Sequence, residues 1–91
     1  MVLFRKTDCN PRIDMKKTGG NIEAQLRCAR ISVRKMQKML GLSCPQSIYR
    51  WLSGQSLPSL DHLFRMSRIL GCTMEELIAE EETGEGSLHN M

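Results

Sequence analysis

The stretch SVRKMQKMLGLSCPQSIYRWLSG, Ser32 to Gly54, decides how this chain folds. Ser32 is a good N-cap, because its hydroxyl can accept from an orphan amide of a first helical turn, and Met36, Met39 and Leu40 follow it as an apolar stripe at helical spacing. Gly41 stops that helix, and Leu42 directly after it can plug the angle between two helices. Ser43, with Gln46 three residues on, resembles a capping box, and Pro45 falls in a first turn, where a missing amide hydrogen costs nothing. The spacing therefore predicts a further helix from about Cys44, with Ile48, Trp51 and Leu52 on its buried face and Gly54 closing it. Two helices joined by the tight turn Gly41, Leu42 and Ser43 leave the second projecting from the domain. At about 100° per residue, Gln46, Arg50 and Ser53 point outward, with Ser47 and Tyr49 on the flanks. Short helical hairpins also occur in domains that bind nothing, and these residues also suit a plain solvated face, so both readings stay open at this point.

Outward from that stretch, the same signals repeat. Upstream, Thr18 and Asn21 are both competent caps, and Ile22, Leu26 and Ala29 then lie on one face of a helix ending near Arg30. Downstream, a polar loop from Gln55 to Pro58 leads to Ser59 as the next cap. Leu60, Leu63, Phe64, Met66, Ile69 and Leu70 then form an extensive apolar surface, which reads as the central packing helix, and Gly71 ends it. Thr73 with Glu76 makes a capping box for a short fifth helix that buries Met74, Leu77 and Ile78. The expected fold is all-α, a compact five-helix domain over residues 18–82, preceded by a flexible or extended arm (1–17) and followed by a disordered tail (83–91).

Charge divides the chain. Residues 1–58 carry eleven Lys and Arg against three acids, while residues 59–91 carry two against seven, so a net +3 hides a basic first portion and an acidic last one. A basic surface suits a polyanion, because each neutralised phosphate releases condensed counterions. Arg34, Lys35 and Lys38 on the second helix favour that reading for the outward face of the third. There, Gln can bond adenine and Arg can bond guanine in bidentate fashion, and Ser and Tyr hydroxyls suit phosphates or base edges. Cys9, Cys28, Cys44 and Cys72 are scattered and unaccompanied by an export signal, so reduced thiols are expected. His62 and His89 stand apart from one another and no two cysteines are close, so neither a zinc site nor another cofactor is expected. No apolar run is long enough for a membrane span or a secretory signal, which points to the cytoplasm. Phosphate-cradling glycine loops and paired carboxylates in apolar surroundings are lacking too, and Glu75, Glu76 and Glu80 to Glu82 read as solvated surface. The sequence thus reads as a non-enzyme, with its seven methionines as core filler.

From Thr18 to about Glu82 the chain resembles the lambda-repressor/Cro type of helix-turn-helix, the xenobiotic-response-element (XRE) family of bacterial and phage regulators. The resemblance rests on Ser32, on Leu40 to Ser43 in the turn, on Ile48, Trp51 and Gly54, on Leu57 to Leu60 with Leu63, and on Ile69 to Leu77. Pro45 to Trp51 is similar to a subgroup with one extra residue after the turn, and Val33, Gln37 and Leu52 depart from the common pattern. The resemblance implies a transcriptional regulator, most often a repressor, that inserts its third helix (about 44–53) into the major groove of double-stranded DNA. It further implies base or nearby backbone contacts from Gln46, Ser47, Tyr49 and Arg50, and phosphate contacts from Ser32, Arg34, Ser53, Gln55 and Ser56. A homodimer over two half-sites is one expected partnership. The fifth helix offers a surface for it, although Leu77 and Ile78 read first as intramolecular packing. The rival reading is a protein-binding adaptor or antitoxin on the same fold, with residues 1–17 or 83–91 able to fold on a protein partner.

Overall fold

Asp14 begins the first helix. Its carboxylate accepts from the Lys17 amide at 2.9 Å, and α1 runs Met15–Ala29. The structure, a computed structural model, describes residues 12–81. The other helices are α2 (Val33–Leu40), α3 (Gln46–Ser53), α4 (Leu60–Leu70) and α5 (Met74–Leu77). Among the described residues there is no strand, only an isolated antiparallel bridge between Ile13 and Glu80, so the architecture is the expected all-α, five-helix one. The expected arm as far as residue 11 and the tail 83–91 lie outside the described residues.

Several local signals perform as read. Ser32 and Ser59 cap α2 and α4 by accepting from the amides of Lys35 and His62, and Thr73 with Glu76 forms a full capping box on α5. Gly41, Gly54 and Gly71 close α2, α3 and α4 in the left-handed conformation.

Other readings change. Helix α1 starts before Thr18, which is buried and spends its hydroxyl on a tertiary bond, accepting from the Ala79 amide at 2.9 Å. Asn21, the other expected cap, donates from Nδ2 to the Leu77 carbonyl at 3.3 Å. The Asp14 amide donates to the Ala79 carbonyl and the Glu81 amide to that of Arg12, both at 2.8 Å. Residues 12–17 are thus tied to the end of the domain, extended at Ile13 and helical from Met15, because Ala79 and Glu81 supply the backbone partners. Helix α3 begins at Gln46, with Pro45 as its cap residue and no side-chain cap bond, so Ser43 does not form the expected box. The turn is held from the other side, where the Gln37 carbonyl accepts from the Leu42 amide at 3.0 Å and Gln37 Nε2 donates to the Leu42 carbonyl at 3.1 Å.

The core consists of Ile22, Leu26, Met36, Leu40, Ile48, Trp51, Leu63, Met66 and Leu77. Each such side chain stabilises the fold by about 2 kcal/mol relative to remaining in water. Helix α1 shares the central place expected of α4: it packs on α3, α4 and α5. Its meeting with α3 is close because residue 19 is glycine. A Cβ there would lie 2.4 Å from the Trp51 carbonyl oxygen and 2.5 Å from that of Leu52. Met39, Leu60 and Phe64, read as core-facing, are exposed, Leu60 by 75%. Inward positions on α4 are taken by Leu63, Met66 and Ser67; Phe64 falls on the flank away from Met66, whereas Leu60, two turns before Ser67 and on the same face, stays exposed as the first residue of the helix.

Candidate nucleic-acid interface

Helix α3 is anchored through Trp51 and Ile48, both buried, with the Trp51 indole 5.5 Å from the His62 ring on α4. That anchoring turns Gln46, Tyr49, Arg50 and Ser53 to solvent, while Ser47 on the flank is half-buried. A groove of about 1000 Å³ opens beside this face and brings together Ser32, Gln46, Tyr49, Arg50, Ser53 and Gln55 of the expected contact residues. Arg34 lies on a separate shallow concavity with Lys35, Lys38 and Ser32, so Ser32 joins the two surfaces. Ser47 and Ser56 line neither.

Hydrogen bonding defines what these residues have left to offer. Ser53 Oγ donates to the Arg50 carbonyl at 3.2 Å, and its oxygen remains an acceptor. The Gln55 and Ser56 amides also donate to that carbonyl, at 2.9 and 3.4 Å, so these two residues can reach a phosphate only through their side chains. Ser32 Oγ accepts from the Lys35 amide at 3.1 Å and retains its hydroxyl proton for an outside acceptor. Helices α1, α2, α4 and α5 are each capped by a side chain, whereas α3 has none. A missing cap costs a helix about 1 kcal/mol and leaves first-turn amides available to an external acceptor.

Some cations are paired and others are not. Arg27 is bonded to Glu23 and Arg65 to Asp61, each at 3.2 Å. Arg30, Arg34, Lys35, Lys38 and Arg50 have no acidic partner among the described residues, and all five are exposed. Arg12, Lys16 and Arg68 likewise lack one among the described residues, so five of these eight cations stand around α2 and α3. Arg30 stands between helices rather than on the outward face of one, so helical spacing carries no signal for it. Cys28 and Cys44 are exposed free thiols, and the partly buried Cys72 thiol is pushed up from its ordinary pKa by burial and then by the nearby Glu76.

A family model described as helix-turn-helix matches residues 24–77, from the middle of α1 to the end of α5. The chain belongs to the XRE-type helix-turn-helix family. As a helix-turn-helix protein it is a DNA-binding regulator in the general sense of that family, with α2 and α3 as the helical pair and residues 41–45 as the turn. No curated protein matches the chain. Among the described residues, no helix is long and apolar enough to cross a membrane.

Proposed function

We propose that the protein is a sequence-specific transcriptional regulator, acting as a repressor, that inserts α3 into the major groove of double-stranded DNA in the cytoplasm. The observation that carries this reading is the exposed polar face of Gln46, Tyr49 and Arg50 on a helix without a side-chain cap, beside cations that no acidic side chain among the described residues neutralises. Gln46 and Arg50 read base edges, Arg50 by a bidentate bond to guanine, with Ser47 and Tyr49 contacting bases or the adjacent backbone. Ser32, Arg34, Ser53, Gln55 and Ser56 hold phosphates and set the register. Occupancy of an operator then excludes the transcription machinery, with control through abundance, a partner or proteolysis.

The test is binding of the purified protein to DNA from upstream of its own gene and to a scrambled duplex at two salt concentrations, with Arg50→Ala in parallel. Preference for the upstream DNA that Arg50→Ala weakens by about tenfold or more supports the reading, since one bidentate base contact carries about 1–3 kcal/mol of discrimination. Weak, equal binding that vanishes with salt refutes sequence reading by α3.

A protein partner is favoured by a separate observation. Leu60 and Phe64, one turn apart, stand exposed on α4 beside Asp61, Arg65 and Arg68, with the Arg68 guanidinium 5.1 Å from the Phe64 ring centre. Such an apolar pair would meet its own counterpart in a second copy packed about a twofold axis, which suits a dimer over two half-sites. Leu77, by contrast, is wholly buried within its own domain.

A further inference from the structure

Arg30 is the one non-glycine residue of the described chain with a positive φ, at φ 58 and ψ 42. Three other helices end in the same left-handed region, and in each the residue is glycine: Gly41, Gly54 and Gly71. A side chain in that region is disfavoured, because its Cβ crowds the following carbonyl oxygen. The closing bonds at the end of α1 are made by main chain, from the Arg30 amide to the Arg27 carbonyl and from the Ile31 amide to that of Leu26, both at 3.0 Å. Glycine would make them equally well. The guanidinium contributes nothing visible to the fold: it is exposed and, among the described residues, has no hydrogen bond or ion pair, unlike Arg27 one turn earlier.

What the arginine does gain is position. Arg30 lines the same groove as Arg50, Tyr49 and Ser32, together with Ile31 and Val33. We propose that Arg30 is a DNA-backbone contact, its planar guanidinium gripping a phosphate beside the bases that α3 reads, and that the strained end of α1 is retained for this contact. The inference rests on the DNA-binding reading above. Guanidinium and phosphate match as a two-point donor fork and oxyanion pair, and such a contact carries affinity without sequence preference. The strained residue and the unneutralised charge then have one explanation.

The experiment compares the full chain with Arg30→Gly and Arg30→Lys on a random-sequence duplex of about 20 base pairs, two helical turns, across a salt series, with thermal melts alongside. For Arg30→Gly the expected result is a slope of log affinity against log salt that is shallower by about one, and low-salt binding weaker by about fivefold. Its melting temperature holds or rises by a few degrees, because strain is relieved while the unfolded chain gains freedom. Arg30→Lys, which keeps the charge, retains the salt slope. Wild-type affinity and slope in Arg30→Gly would overturn the proposal, as would a melting temperature lower by several degrees, which would make the side chain structural. A wild-type protein that binds no duplex at low salt would overturn the DNA-binding reading, and the role of Arg30 with it.

Discussion

Replacing Gly19 with alanine adds one methyl group and asks whether α1 and α3 touch as closely as the structure has them. The new Cβ would stand 2.4 Å and 2.5 Å from the carbonyl oxygens of Trp51 and Leu52, where ordinary contact begins at 3.4 Å. The colliding atoms are α3 main chain, so relief requires the two helices to part by about 1 Å rather than a side chain to rotate. Overpacking costs about 1–3 kcal/mol, and a backbone-against-backbone clash belongs at the upper end. Alanine returns about 1 kcal/mol through its better helix propensity. The net loss is about 2 kcal/mol, which lowers the melting temperature of a chain this size by about 8–16 °C. Gly20→Ala is the matched control, since nothing lies within 4 Å of its Cβ position and only the propensity gain applies. It should melt about 4–8 °C above wild type. Circular-dichroism melts of the two variants make the measurement. Gly19→Ala melting at or above wild type would refute the close approach and, with it, the placement of α3 by α1.

Three further outcomes follow from the same geometry. Thr18→Val keeps the shape of a buried side chain but removes the acceptor for the Ala79 amide, so urea unfolding should show a loss of about 1–3 kcal/mol, and an unchanged midpoint would contradict the bond. Gly54→Ala should be more damaging than Gly41→Ala: both have positive φ, but only at Gly54 does a Cβ meet another residue, 2.9 Å from Lys16 Cγ and 3.0 Å from its Cα. Thermal melts that rank the two in the opposite order would reject that contact. With iodoacetamide at pH 8, Cys72 should be modified after Cys28 and Cys44, because its raised pKa leaves less thiolate at that pH and the other two are exposed. Mass-spectrometric labelling with Cys72 first would contradict its environment.

Local chemistry determined much of this protein. Ser32, Ser59 and Thr73 cap helices because a hydroxyl at a helix start needs only the amides of its own first turn, and Gly41, Gly54 and Gly71 end them because the left-handed conformation is a property of the single residue. The all-α class, the helical pair and the outward face bearing Gln46 and Arg50 follow from those signals and from apolar spacing, which is why they are legible in one chain. Tertiary structure decided what requires a distant partner. Thr18 and Asn21 have the chemistry of caps, yet their bonds go to Ala79 and Leu77, more than fifty residues away in sequence. Gly19 clears the α3 main chain only because it has no Cβ, and Leu60 and Phe64 have the apolar spacing of core residues yet stay exposed in the fold. Arg30 looks like any basic residue between two helices. Only the folded chain shows it held at positive φ, without an acidic partner among the described residues, lining the groove beside α3, because spacing along a sequence records which residues share a helix face but not which faces meet.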